Sequence, residues 1–315
     1  MLWMLPILFG LAVLPAILPS GFVSIVIVLL TYVSMATAWN LLGGYLGDLS
    51  FGHAVFYGIG AYTYGLLVHY GVSSFPLLNM MAGGVIAMIF GVLLGIPFLR
   101  LKGLYFAIGT LGMSQVVRII FENSDFTLKS HGVLIPIEQS YSIIPYYYYA
   151  FVITLAILLL NYAIINSRLG IAFLSIRDNP SAAEMLGINV TGYRVLCFSI
   201  SGFFVGVVGA FFAFFNHYIF PSGVFSVDLS FEILLMALFG GVGTFSGPII
   251  GAITVFFVEE LGRSFIRVGF LLLLSVMLMV VFLLMPGGVV GTLRRQAPFV
   301  NPLDLLKRLG GSARG

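Results

Sequence analysis

Residues 194–217 read RVLCFSISGFFVGVVGAFFAFFNH and carry one charged side chain, Arg194, at their beginning. A helix that crosses the hydrocarbon core of a bilayer needs about 20 apolar residues. This stretch is long enough for one crossing. It therefore predicts a membrane-spanning helix, and it decides the class of fold to expect.

Similar apolar runs recur along the chain, whose 315 residues are 60% hydrophobic and 8% charged. Soluble domains carry about 25% charged residues, so the composition excludes a soluble enzyme, a nucleic-acid-binding domain and a disordered chain. We predict an all-α integral membrane protein, a polytopic helical bundle of about ten spans. The runs lie at 4–18, 22–42, 53–70, 77–98, 103–121, 145–166, 194–217, 231–244, 247–260 and 268–286.

Two details qualify this assignment of spans. The first run lacks a basic beginning and a small-residue cleavage site, so we interpret it as a span and not as a cleaved signal peptide. The runs 231–244 and 247–260 are short. They could form half-helices or a re-entrant pair, which the membrane tolerates only where protein or a cavity surrounds them.

The basic residues predict the orientation, because Lys and Arg collect in cytoplasmic loops. Alternating spans place ten of the 14 basic residues on one side, and with ten spans both the N- and C-termini are cytoplasmic. These ten are Arg100, Lys102, Arg168, Arg177, Arg194, Arg294, Arg295, Lys307, Arg308 and Arg314. We expect a transmembrane domain over 1–290, with a cytoplasmic loop at 167–193, and a basic cytoplasmic tail over 291–315.

The loop 167–193 contains the signals of one short helix. Asn179 is a favourable N-cap, and Pro180 fits the first helical position. Alternatively, Ser181 is the N-cap and Glu184 closes a capping box three residues later. Gly187 suits the C-terminal position. Either pattern predicts about two turns of helix.

Arg177 and Asp178 directly precede this predicted helix, and Leu186 is one of its apolar residues. A short amphipathic helix outside the membrane can insert into a groove of a partner protein. The alternative is a helix that lies at the membrane interface. The residues themselves leave both interpretations open.

A first glycine-rich break follows the span 22–42. Four glycines there predict a broken helix whose free backbone groups could meet a solute, and intramembrane polar groups are functional candidates. The alternative is a cytoplasmic turn or gate packing. The polar residues of this break are Asn40, Asp48, Ser50 and His53, and the glycines are Gly43, Gly44, Gly47 and Gly52.

A second break resembles the first, because LFGGVG at 238–243 echoes LLGGYLG at 41–47. The echo suggests a five-plus-five repeat with the pathway between the repeats. Glu232 precedes the second break and is a pathway candidate together with Gly240 and Gly241. Alternatively, Glu232 anchors the N-terminus of its helix, where negative charge is favoured.

Motifs for catalysis and metal binding are missing from the sequence. It has no phosphate loop of the Gly-x-x-x-x-Gly-Lys-Ser/Thr type, no His-Glu-x-x-His and no convincing Gly-x-Ser-x-Gly elbow. The four histidines are scattered and the chain has one cysteine, Cys197. We therefore expect no catalytic residue, no metal site and no cofactor in this chain.

Three stretches carry a resemblance to a known family. Residues 177–189, RDNPSAAEMLGIN, resemble the coupling segment of LivM-type permeases, the membrane subunits of ABC importers for branched-chain amino acids. Residues 38–53, AWNLLGGYLGDLSFGH, continuing to GAY at 60–62, are similar to the amino-terminal signature of that family. Residues 230–248, SFEILLMALFGGVGTFSGP, resemble its carboxy-proximal signature.

This resemblance implies a permease subunit that translocates leucine, isoleucine and valine across the cytoplasmic membrane of a bacterium or archaeon. It implies a second homologous permease, LivH-like, as heterodimer partner, and a periplasmic or extracellular solute-binding protein. Two cytoplasmic ATPase subunits would hold ATP and Mg²⁺. Membrane lipid surrounds such a subunit, and no nucleic acid is involved. Residues 1–290 would then be the permease domain, with 167–193 as its coupling loop.

The candidate site residues form two sets. We predict an ATPase-coupling role for Arg177, Asp178, Asn179, Pro180, Ser181, Glu184, Leu186 and Gly187. We predict that the translocation pathway includes Asn40, Gly44, Asp48, Ser50, His53, Glu232, Gly240 and Gly241.

The sequence departs from the family at two places. The family more often has Gln at Asp48, which could alter the pathway, and a basic residue near Phe173, which could change the ATPase contact.

Two alternative functions stay open. Related permeases carry urea, short amides or aromatic acids, so these are alternative substrates. An ion-coupled secondary carrier would need ionisable relays deep in the spans, and deep acidic residues are nearly absent.

Overall fold

The structure is a computed structural model that describes residues 18–101, 103–136 and 142–265, together with Gly10, Leu14 and Pro15. The predicted span 268–286, the tail 291–315 and nearly all of the predicted span 4–18 lie outside the described residues.

Helices make up most of the described chain. In order they are α1 (Ser20–Asn40), continued by a π-helical segment (Leu41–Leu46), α2 (His53–His69), α3 (Pro76–Phe98), α4 (Leu104–Asn123), α5 (Ile143–Ile165), α6 (Arg168–Asp178), α7 (Pro180–Met185), α8 (Val190–Asn216), α9 (Pro221–Val224), α10 (Val227–Gly240) and α11 (Gly247–Phe265). Two 3-10 turns, Asp125–Thr127 and Lys129–His131, lead to strand β1 (Val133–Leu134), which pairs antiparallel with β2 (Tyr218–Ile219).

Six helical stretches among the described residues are long and apolar enough to cross a membrane, which confirms the all-α membrane class. They are Ser20–Leu46, Pro76–Phe98, Leu104–Asn123, Ile143–Ile165, Val190–Asn216 and Pro221–Gly240. The helix α2 is shorter, with 17 residues, and most of its side chains are buried.

Helix α8 lies at the centre of the bundle and packs against α2 and α3. A Cβ atom at Gly60 of α2 would overlap the carbonyl oxygen of Gly206 in α8, and one at Gly209 would overlap that of Tyr57. Small residues let helix backbones approach closely in this way. The glycines of these helices therefore serve packing inside one bundle.

Two elements differ from the sequence-based expectation. The helix of the eighth span, α10, covers Val227–Gly240 and therefore begins and ends earlier than the predicted 231–244. The polar residues before 231 begin this helix instead of interrupting it, since the Ser226 hydroxyl accepts a hydrogen bond from the Leu229 amide at 3.1 Å. The loop 167–193 contains two helices, α6 and α7, where one was predicted.

Candidate functional site

The helix α6 begins the segment between α5 and α8. Ser167 caps it by accepting a hydrogen bond from the Leu169 amide at 3.1 Å. Phe173 and Ile176 are completely buried and hold the helix against the bundle. Phe173 thus packs inward and offers no surface to a partner.

The helix α7 has the caps that its sequence predicts. The Asn179 side-chain oxygen accepts a hydrogen bond from the Ala182 amide at 3.1 Å. Gly187 adopts a φ of 84°, and its amide donates to the Glu184 carbonyl at 3.0 Å. Asn179 is therefore confirmed as the N-cap. The alternative capping box is wrong, because α7 begins at Pro180 and Ser181 lies inside the helix.

The tip of α7 presents apolar side chains to the outside. Met185 is 83% exposed and Leu186 is 81% exposed, whereas Ala183 on the opposite face is buried. Ser181 and Glu184 are also exposed. An apolar tip bordered by polar groups is typical of a protein-interaction surface. We call Arg168–Gly187 the coupling segment from here on, after the role that the resemblance in sequence implies for it.

Arg177, at the end of α6, connects the coupling segment to the first glycine-rich break. Its Nη1 donates a hydrogen bond to the Gly44 carbonyl oxygen at 2.8 Å, and its Nε lies 3.6 Å from the Asp178 carboxylate. A Cβ atom at Gly47 would lie 2.7 Å from the Arg177 side chain, and one at Gly243 would lie 2.7 Å from its Nη1. Arg177 thus touches both glycine-rich breaks.

The first break starts later than the sequence suggested. Gly43 and Gly44 lie in the π-helical segment Leu41–Leu46, and the chain leaves the helix at Gly47, whose φ is 91°. Irregular backbone follows until His53 begins α2. Short π-helical insertions occur frequently at functional sites.

Asn40 joins the two breaks. Its Nδ2 donates a hydrogen bond to the Thr244 carbonyl oxygen at 2.9 Å, and its Oδ1 accepts one from the Gly243 amide at 2.9 Å. The side chain is buried. The second break follows α10, with Gly241 at a φ of 120° and Gly243 at 73°.

Gly240 lies at the end of α10, and the second break returns directly into α11. A Cβ atom at Gly240 would overlap the carbonyl oxygen of Gly247. Thr244 stabilises the return, since its hydroxyl donates to the Gly241 carbonyl at 2.8 Å and accepts from the Gly247 amide at 3.0 Å. The site residues Gly240 and Gly241 thus form a tight backbone corner.

Ser50 and His53 hold the first break against α8. The ring nitrogens of His53 lie 3.2 Å from the Ser50 hydroxyl and 2.9 Å from the Ser201 hydroxyl, which donates to the Ala38 carbonyl. Trp39 Nε1 donates to the Ser50 carbonyl at 2.9 Å. Ser50 and His53 are completely buried. Their positions correspond to the packing alternative of the sequence analysis, while contact with a substrate stays a prediction.

Asp48 pairs with Arg194, a residue that the sequence analysis did not include in the site. Asp48 Oδ1 lies 3.2 Å from Arg194 Nη2. Burial raises the pKa of the Asp48 carboxyl, and the Arg194 charge acts in the opposite direction. Among the described residues, Asp48 Oδ2 and Arg194 Nε have no hydrogen-bond partner. The available signal was a basic residue at the very beginning of an apolar span.

Glu232 lies apart from the two breaks. The helix α10 begins at Val227 with Asp228 in its first turn, so Glu232 occupies the second turn. Its Oε2 accepts a hydrogen bond from the Tyr32 hydroxyl at 2.8 Å. The interpretation of Glu232 as the anchor of a helix N-terminus is therefore wrong. Its contact with a substrate stays a prediction.

The structure thus brings one set of predicted residues together and separates another. Asn40 and Gly44 meet Arg177 and the second break, while Asp48, Ser50 and His53 bond to α8 and α1. Asp178, Ser181, Glu184 and Leu186 point outward from the coupling segment. Within the described ranges, no group of three His, Cys, Asp or Glu residues could hold a metal ion.

Several long apolar helices packed into one bundle define a multi-pass membrane protein. The family described as branched-chain amino acid transport system / permease component matches residues 21–285, and the chain belongs to it. It is thus an ABC importer permease subunit and a multi-pass protein of the inner membrane.

Two groups of curated relatives support this membership. The chain is 28% identical to the high-affinity branched-chain amino acid transport system permease protein LivM of Salmonella typhimurium, covering 96% of this chain and 75% of that protein. LivM of Escherichia coli is also 28% identical, over 91% of this chain and 74% of its own length. The probable branched-chain amino acid transport permease protein LivH of Methanocaldococcus jannaschii is 26% identical, over 69% of this chain and 67% of its own length. No solved structure matches the chain significantly.

Proposed function

We propose that this subunit carries leucine, isoleucine and valine into the cell, powered by ATP hydrolysis on two partner ATPase subunits. The match to the permease family over residues 21–285 is the observation that carries the proposal. The LivM and LivH relatives are named as branched-chain amino acid permeases. Similarity to both kinds indicates a permease pair, so we propose a LivH-like second subunit as heterodimer partner.

The coupling segment supplies the structural support for ATPase partners. Met185 and Leu186 extend from a rigidly capped helix, while Arg177 at the other end reaches into the bundle. A short exposed helix with apolar side chains can insert into a groove of a partner. We propose that the eight coupling residues named above contact or position this interface, and that ATP and Mg²⁺ bind only to the partner subunits.

Further parts of the proposal concern topology and the pathway. Ten spans, cytoplasmic termini and a five-plus-five repeat fit the distribution of the basic residues and the two similar breaks. The contact between these breaks through Asn40 supports a pathway that they border. A separate solute-binding protein would select the substrate, as the family resemblance implies.

Transport by the complete complex tests this proposal. The chain is purified together with its permease partner and ATPase subunits, reconstituted into liposomes and supplied with the binding protein. We expect labelled leucine to accumulate with ATP and not with a non-hydrolysable analogue. Excess isoleucine and valine should compete, whereas urea, short amides and aromatic acids should not. Competition by one of the latter would assign a different substrate, and uptake that persists without the ATPase subunits would indicate a secondary carrier.

A further inference from the structure

Two hydrogen-bonded contacts connect the coupling segment to both glycine-rich breaks in series. Arg177 donates to the Gly44 carbonyl of the first break at 2.8 Å. Asn40, one helical turn before Gly44, exchanges two hydrogen bonds of 2.9 Å with Gly243 and Thr244 of the second break. A displacement of α6 would therefore act first on the break after α1, and through Asn40 on the break after α10.

The residues that make these contacts are closely packed. A Cβ atom at Gly44 would overlap both the Asn40 side chain and the Gly243 amide, and Cβ atoms at Gly47 or Gly243 would press on Arg177. No side chain can thus separate the two breaks or hold them away from the guanidinium. Close-packed elements of this kind shift between discrete arrangements instead of deforming gradually.

We infer that Arg177 and Asn40 are positioning residues that make the two breaks move as one unit with the coupling segment. The inference rests on the proposed function, since the partner ATPases would supply the movement. A ligand couples to a distant event only where its contacts differ between two states of the protein. Arg177 and Asn40 provide a physical connection through which the state of the ATPase interface reaches both ends of the broken helices.

The number of ATP molecules hydrolysed per substrate molecule imported tests this connection. This ratio is measured with the full complex in liposomes for two variants. Arg177→Lys shortens the side chain and removes the guanidinium geometry. Asn40→Ala removes both hydrogen bonds to the second break. A purely structural defect lowers transport and hydrolysis together and leaves this ratio unchanged.

Two matched controls separate the connection from general effects. Arg118→Lys changes an arginine of α4, outside the coupling segment, whose Nε lies 3.4 Å from the Glu122 carboxylate of the same helix. Asn161→Ala removes another buried asparagine, whose Nδ2 donates to the Ile157 carbonyl of its own helix α5 at 3.0 Å. Neither control touches a contact between the coupling segment and the breaks.

We expect the ratio to rise about tenfold in Arg177→Lys and Asn40→Ala, within the range of about 5- to 150-fold for coupling between sites, and to stay unchanged in the controls. An unchanged ratio in either variant overturns the inference, whatever happens to the rate. If Asn40→Ala fails to assemble, the result with Arg177→Lys decides alone. If the unaltered complex shows no ATP-dependent uptake, the proposed function falls, and the inference with it.

Discussion

Asp48 and Arg194 form an ion pair of 3.2 Å in which the two side chains are only 10% and 15% exposed. The pair joins the irregular backbone of the first break to the N-terminal part of α8. Such a pair differs from a surface salt bridge, because removing one partner leaves the other charge poorly hydrated and uncompensated.

The first prediction concerns the charge that stays uncompensated when one partner of the pair is removed. We expect Arg194→Gln to lower the free energy of unfolding by about 3 kcal/mol, since it leaves Asp48 without its counter-charge. The double variant Asp48→Asn/Arg194→Gln should recover most of the loss. Cys197 is the single cysteine and is completely buried, so the reaction of a thiol-specific dye on heating in detergent measures unfolding. Losses that simply add in the double variant would show that the two residues do not interact.

The second prediction concerns pH. Burial raises the pKa of the Asp48 carboxyl above its usual value near 3.8, so the native state binds this proton more tightly than the unfolded state does. The contribution of Asp48 to stability is therefore complete below about pH 3.8 and is lost as the pH rises through the native pKa.

Comparison with Asp48→Asn isolates this effect. We expect the stability of the unaltered protein relative to Asp48→Asn to fall as the pH rises above about 3.8, as measured over a pH series by the same thiol assay with a dye that reacts at every pH used. Asn161→Ala removes no ionisable group, so the difference in stability between this variant and the unaltered protein should not change with pH. A relative stability that increases with pH would mean that Arg194 outweighs burial.

The third prediction concerns the tip of α7. Met185→Asp places a charge on a side chain that is 83% exposed, so the free energy of unfolding should change by less than about 0.5 kcal/mol. Binding of the ATPase subunits should weaken at least about tenfold, because the charge would lose hydration inside an apolar groove.

A matched control for this surface lies on β1, outside the coupling segment. Leu134 is 72% exposed, and Leu134→Asp should leave ATPase binding unchanged. Co-purification of tagged ATPase subunits at graded salt and protein concentration compares the two variants. Equal binding by Met185→Asp and the unaltered protein would remove Met185 from the interface.

Local signals in the sequence predicted the parts of the fold that depend on local physics. Asn179 and Gly187 were identified as caps because capping needs only the right side chain, or its absence, at a helix end. Six of the predicted spans correspond to long apolar helices of the structure, because the bilayer requires long apolar runs. The helix α6 was missed, since it is held by tertiary burial of Phe173 and Ile176 instead of by a strong local pattern.

For contacts between residues distant in sequence, the sequence predicted only that a buried polar side chain needs a partner, not which residue the partner is. A buried asparagine such as Asn40 requires hydrogen bonds inside the membrane, but nothing in its neighbourhood specifies a partner 203 residues away. Arg194 likewise required a counter-charge, and the choice of Asp48 depends on how α8 packs beside the first break. The sequence therefore predicted that these polar residues need partners without predicting which residues pair.

The fourth prediction tests the close packing of α2 on α8. A Cβ atom at Gly60 would overlap backbone atoms of Gly206, which cannot move without separating the two helices. We expect Gly60→Ala to lower the free energy of unfolding by about 2 kcal/mol or more, because overpacking of a well-packed core costs about 1–3 kcal/mol.

Gly112 of α4 provides the opposite case within the same bundle. No heavy atom lies within 4 Å of a Cβ atom placed there, so Gly112→Ala should raise the free energy of unfolding by up to about 1 kcal/mol through helix propensity alone. The thiol assay on Cys197 measures both variants side by side. If Gly60→Ala and Gly112→Ala shift the unfolding temperature in the same direction and by the same amount, the close backbone contact between α2 and α8 does not exist, because propensity would then be the only effect of either substitution.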